Sequence, residues 1–81
     1  MSKRVDQNTL VTSDKEGRPQ HFCWGRRNVV ISRILEEWEE AGCWWRGEEA
    51  RRVYRVRSKQ GVLYELHHQP SQGWRLYRIY D

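Results

Sequence analysis

Cys23, Cys43, His67 and His68 are the side chains of this sequence best suited to hold a metal or to form a nucleophile–base pair. Zinc sites collect such ligands at short spacings such as C-x2-C or H-x3-H, and neither spacing occurs here. His67 and His68 are adjacent, so on a strand their rings diverge to opposite faces. A cysteine–histidine couple needs spatial proximity, which nothing in the spacing supplies. There is no Gly-rich phosphate loop and no G-x-S-x-G elbow. Carboxylates cluster only in the run Glu36, Glu37, Glu39, Glu40 and in Glu48–Glu49, and charge runs usually face solvent. The reading expects no catalytic residue, no metal and no cofactor. A small hydrolase built on Cys43 or His67 is the dissenting alternative, and the sequence suggests no substrate for it.

Arginines carry more of the argument. Arg26 and Arg27 fall at a hairpin tip, and Arg52, Arg55, Arg57 and Lys59 run along one strand and the turn beyond it. Arg55 and Arg57 share a strand face with Val53, as Arg75 does with Tyr77. Sheet surfaces that combine arginine with aromatic rings track a phosphate backbone and stack bases. Those six residues are the expected nucleic-acid contacts, with single-stranded or primer–template DNA as the ligand. They come from both faces near strand ends, so a single surface requires a curved sheet. The competing reading makes the rings core and the arginines a rim that snorkels over it.

The second candidate surface is the doublet Trp44–Trp45 in Ala41-Gly-Cys-Trp-Trp-Arg-Gly47. Trp, Tyr and Arg are enriched at interface hot spots. One ring is expected in the core under the C-terminal strands, the other against a protein partner. An adaptor that uses this Trp and has no nucleic-acid role is therefore the alternative function.

These side chains must be positioned by a small, β-rich fold. Eighty-one residues make one domain, with residues 1–9 polar and flexible. Hydrophobic residues are only 37% of the chain, but five Trp, four Tyr and one Phe compensate by size. Each buried ring removes roughly 150–250 Å² from water. Strand character marks Leu10–Thr12, Gln20–Trp24 and Asn28–Ile31. Arg52–Arg57, Val62–His68 and Trp74–Tyr80 form a three-stranded meander whose turns end in Gly61 and Gly73. The last strand carries apolar groups on both faces, which implies a bulge or a sheet covered in part on both sides. Ile31, Ile34, Leu35, Trp38 and Ala41 fall at helical spacing, so one short helix is expected near 32–41. The crowding of glutamates at its C-terminal end argues against that helix, and a bent strand is the alternative. The predicted architecture is a curved antiparallel sheet or half-open barrel of about five to six strands.

Charge is unevenly placed. The formal total is +4, with a net of +4 over residues 1–35, −5 over 36–50 and +5 over 51–81. Such a molecule attracts phosphate on one face and avoids it on another. The N-terminus shows no signal-peptide h-region, and Val29-Val30-Ile31 is far too short to span a bilayer. The expectation is a soluble cytoplasmic protein whose cysteines are free thiols.

The ordered motifs Phe22-x-Trp24-Gly25-Arg26, Ile34-Leu35-x-x-Trp38-x-x-Ala41-Gly42-x-Trp44-Trp45, Arg52-x-Tyr54-x-Val56, Tyr64-x-Leu66 and Gly73-Trp-Arg-Leu-Tyr-Arg-Ile-Tyr80 resemble a family of small bacterial proteins of unknown function. From about residue 42 the chain also resembles the C-terminal module of the inactive Y-family polymerase-like subunit of the bacterial mutasome. That module has a Gly-x-Trp-Trp element before a similar meander ending in a Trp-x-Leu strand. The resemblance implies an accessory of DNA repair or translesion synthesis that binds DNA, a Y-family polymerase or another mutasome component. It brings no catalytic motif.

Overall fold

The computed structural model describes residues 2–80, with the side chains of Ser2 and Trp44 outside the described set. Seven strands follow in order: β1 (Ser2–Asn8), β2 (Val11–Ser13), β3 (Pro19–Trp24), β4 (Arg27–Glu40), β5 (Arg51–Ser58), β6 (Leu63–Gln69) and β7 (Gly73–Tyr80). They form one sheet in the order β1-β7-β6-β5-β4-β3-β2, antiparallel at every pairing. The sheet curls into a half-barrel. Among the described residues the only helical turn is a 3-10 segment, Trp44–Arg46, and no helix is long and apolar enough to cross a membrane.

The expected helix near 32–41 is replaced by the second half of β4, a 14-residue strand. The physical reason is visible in its pairing. Glu36, Glu39 and Glu40 lie directly opposite Arg55, Arg52 and Arg51, and opposite charges across an antiparallel pair stabilise it. A helix would instead have gathered the same carboxylates at its negative end. The helical spacing of Ile31 and Ile34 has a strand origin too. The register slips between Ile31 and Arg33 and again between Ile34 and Glu36. A bulge adds one residue to the alternation, so two residues three apart both pack against the core.

Seven strands rather than five to six result because residues 2–8, read as flexible from their polarity, pair with β7. Arg75 ties them in. Its Nε donates to Asp6 Oδ1 at 2.9 Å, its Nη1 to Asn8 Oδ1 at 2.9 Å and its Nη2 to the Asp6 carbonyl at 2.9 Å. Asp6 itself takes φ 50°, the left-handed region that Asp tolerates better than most residues, where the β1–β7 register shifts. The chain then crosses from one end of the sheet to the other. Thr9 N donates to Trp74 O at 3.1 Å, Cys23 N donates to Leu10 O at 3.0 Å, and the Thr9 hydroxyl donates to the Cys23 carbonyl. Two residues thereby draw β7 and β3 together and hold the curl.

The meander of β5, β6 and β7 lies where the alternation placed it. Gly61 and Gly73 have φ of 88° and 73°, the left-handed geometry expected of those turns. The core lies on the inner face. Phe22, Val29, Tyr54, Val56, Tyr64, Leu66 and Leu76 are buried together, with Phe22 edge-on to Tyr64 at 5.1 Å and Tyr54 against Trp74 at 5.4 Å.

The β7 irregularity is a bulge. Trp74, Leu76 and Ile79 pack inward. Tyr77 stacks on His67 of the outer face, and Arg78 pairs with Glu65 of that face, so two consecutive residues point outward.

Truncating Leu66, fully buried at the centre of the sheet, should cost about 2–5 kcal/mol as Leu66→Ala. Leu10→Ala, at a site 79% exposed, should change stability by about 0.5 kcal/mol or less. Urea denaturation followed by tryptophan fluorescence measures both.

Candidate functional site

The six predicted nucleic-acid contacts do not form one patch; β4 divides them. Along the second half of β4 the arginines of β5 are committed to glutamates. Arg52 Nη2 lies 3.4 Å from Glu37 Oε2 and its Nη1 3.8 Å from Glu39 Oε2. Arg55 Nη1 lies 3.0 Å from Glu36 Oε1 and its Nη2 3.8 Å from Glu65 Oε1. Along the first half of β4 the pattern reverses. Arg33 lies opposite Arg57, Lys59 follows at the next turn with its N–H on the Val30 carbonyl, Arg26 lies in the β3–β4 turn and Arg27 opens β4. All five side chains are exposed, and none forms an ion pair with a described acidic residue. One end of the sheet is therefore basic, and the other is internally neutralised. Arg33 was missed by sequence reasoning because only the register puts it opposite Arg57.

The outer face of the meander carries a second arrangement, of rings interleaved with guanidinium groups. Arg55 Cζ lies 5.6 Å from the Trp38 ring centre and 5.4 Å from that of Tyr80. Arg78 lies 5.8 Å from Tyr77 and 6.0 Å from Tyr80, and Arg4 lies 5.3 Å from Tyr77. These are cation–π distances. Beneath this layer, on a strand face that would otherwise meet water, Val53, Glu65 and His67 are buried. The Tyr77 ring stacks on His67 at 4.3 Å.

Glu65 is the electrostatic centre of that face. Its Oε1 accepts the Tyr80 hydroxyl at 2.8 Å, and its Oε2 lies 2.7 Å from His67 Nε2. Burial pushes its pKa up, but the hydrogen bonds from His67 and Tyr80 and the charge of Arg55 outweigh burial and leave it lowered. His67 Nδ1 faces Arg51 Nη1 at 3.5 Å, which orients the ring. This face opens into a polar cleft of about 510 Å³ lined by Arg4, Asp6, Arg51, Arg75 and Tyr77, with the 42–49 loop as its far wall. The cleft is close to balanced in charge, and Asp6 is held below its ordinary value chiefly by the Arg75 hydrogen bond.

The Trp44–Trp45 doublet lies in the connection from β4 to β5. Trp45 is 68% exposed; the side chain of Trp44 is outside the described residues. The connection folds back closely. A Cβ on Gly42 would lie 2.6 Å from the carbonyl oxygens of both Glu48 and Glu49. Glu49 fastens the loop to the β6–β7 turn by accepting the Ser71 N–H at 2.8 Å and the Ser71 hydroxyl at 2.6 Å. Cys23 and Cys43 are free thiols. Glu48 pushes the Cys43 thiol up, the opposite of the shift that activates a nucleophilic cysteine. Among the described residues no three His, Cys, Asp or Glu side chains converge to hold a metal.

The Glu65 geometry sets an acid limit on stability. A carboxyl with a lowered folded pKa contributes fully above its unfolded value, here 4.5, and loses that contribution as pH falls through the folded value. Denaturation midpoints measured from pH 7 down to about pH 3 should therefore decline below 4.5. Glu65→Gln should be less stable at pH 7 and flatter through the acid range.

No curated protein and no solved structure matches this chain, and the resemblance of the second half to the polymerase-like module draws no support from these comparisons. A family model does match, along residues 2–81. The chain belongs to the family of the domain of unknown function DUF6504.

Proposed function

We propose that this protein is a non-enzymatic binding module that contacts nucleic acid through the basic end of its sheet. One observation carries the reading. Arg26, Arg27, Arg33, Arg57 and Lys59 are exposed and lie around the first half of β4 without a described acidic partner, whereas Arg52 and Arg55 are held by glutamates. Free cations gathered at one end of a small rigid sheet are the electrostatic footprint of a phosphate-binding surface. The site expected from sequence is thereby narrowed to Arg26, Arg27, Arg57 and Lys59, and Arg33 is added. With the resemblance of the second half, the ligand is single-stranded or primer–template DNA. The setting is then an accessory role in DNA repair or translesion synthesis beside a Y-family polymerase or mutasome component.

A second reading, a protein adaptor, is favoured by the exposure of Trp45 in a loop pinned by Glu49. It predicts that Trp45→Ala leaves folding intact and weakens binding to a purified mutasome subunit, with no DNA binding by the wild-type protein.

The leading reading is tested by titrating a fluorescent single-stranded oligonucleotide at several salt concentrations. Log affinity should fall with log salt at a slope of about −2 to −3.5, as for three to five phosphate contacts. Arg57→Gln should make that slope shallower by about 0.7, one contact's worth for a single strand, and Arg52→Gln should leave it unchanged. A flat salt dependence, or no binding at low salt, removes the reading.

A further inference from the structure

The rings and guanidinium groups on the outer face of the meander are half-exposed and contiguous with the basic end. Arg57 shares its strand face with Arg55, and Arg55 touches Trp38 and Tyr80. By register this face carries Arg4, Arg33, Arg51, Arg55, Arg57, Arg75 and Arg78 against Glu36, Glu40 and Glu65, with Asp6 brought to it by Arg75, so positive charge predominates. The Arg78 guanidinium sits between Tyr77 and Tyr80. It forms no ion pair with a described residue, and its Nε is buried without a hydrogen-bond partner. The same is true of Arg55 Nε, but Arg55 has carboxylate partners, so Arg78 is the guanidinium of this layer whose charge no described carboxylate balances.

We propose that this outer face, with Trp38, Tyr77 and Tyr80 interleaved with Arg4, Arg55 and Arg78, is a base-stacking platform for single-stranded nucleic acid. The proposal rests on the reading of the basic end as a phosphate contact and adds what that end lacks, a means of telling an unpaired strand from a duplex. Unpaired bases stack on aromatic rings and on the planes of arginine guanidinium groups alike. A strand entering over Arg33 and Arg57 would run across β5 to Arg78. There a phosphate or base carbonyl would accept from the terminal guanidinium nitrogens of Arg78. A duplex keeps its bases stacked on one another and offers this face only its backbone.

The test compares a thymidine oligonucleotide with an abasic oligonucleotide of the same length, and with the corresponding duplex, by fluorescence anisotropy at fixed salt. The thymidine strand should bind about tenfold more tightly than the abasic one, and more tightly than the duplex. Arg78→Lys keeps the charge but loses the planar fork. It should narrow the gap between thymidine and abasic strands and leave the salt slope unchanged. If the abasic strand or the duplex binds as well as the thymidine strand, the platform is overturned while phosphate binding at the basic end stands. If none of the three binds, both readings fall. The wild-type comparison decides the matter even if Arg78→Lys fails to fold.

Discussion

The constraint on which the structure depends is the pairing of an acidic strand with a basic one. Four glutamates within five residues are a poor helix end and, unpaired, a poor strand. Three of them, placed across from Arg51, Arg52 and Arg55, become a ladder of opposed charges, and Glu37, opposite Tyr54, reaches Arg52 diagonally. Each exposed pair contributes little alone, about 0–1 kcal/mol. Their combined effect is on register, since a one-residue slip would reverse every side chain between core and solvent. That register lets β4 run for 14 residues, places its two bulges and starts the curl of the sheet. It also decides which arginines are spent internally and which remain free at the other end.

The meander is unusual in having both faces occupied. Its inner face is an ordinary aromatic and aliphatic core. Its outer face buries Glu65 and His67 under rings and guanidinium groups. A buried carboxylate is costly unless it is fully partnered, and Glu65 receives His67, Tyr80 and Arg55. The cation–π contacts above it add about 0.5–1 kcal/mol each at exposed sites. A chain with few aliphatic residues thus covers a second strand face with amphipathic side chains whose polar ends still meet water. Arg55 and Arg78 each combine two ring contacts with a buried Nε that has no hydrogen-bond partner, but Arg55 is held by Glu36 and Glu65, whereas Arg78 has no described carboxylate, which is why it is the sharpest mark of an external ligand.

Much of this was legible in advance. Alternation located β5, β6 and β7, their turn glycines took the expected left-handed conformation, and the broken alternation of β7 signalled a bulge. The segment near 32–41 misled because two bulges give strand residues a spacing of three, which periodicity cannot separate from a helical turn. The first strand was overlooked because its residues are mostly polar. It is held by Arg75, 69 residues from Asp6 in sequence, and no local pattern reports such a partner. The candidate surface was half legible: Arg26, Arg27, Arg57 and Lys59 are free, whereas Arg52 and Arg55 are neutralised by glutamates from a neighbouring strand.

The order of residues sets the inventory and the local geometry. It supplied a β-rich chain, a C-terminal meander, large rings in place of many small apolar residues, and charge divided into blocks. Short-range physics suffices for these, because side-chain alternation and turn conformation are decided within a few residues. Tertiary structure decided which blocks meet. The pairing of β4 with β5 turned two opposed charge runs into one neutral ladder. It left a basic end around Arg33 and Arg57 and, with the β7 bulge, brought Trp38, Tyr77 and Tyr80 among arginines on one face. Those outcomes depend on register between strands, a non-local quantity that the order of residues within any single strand does not contain.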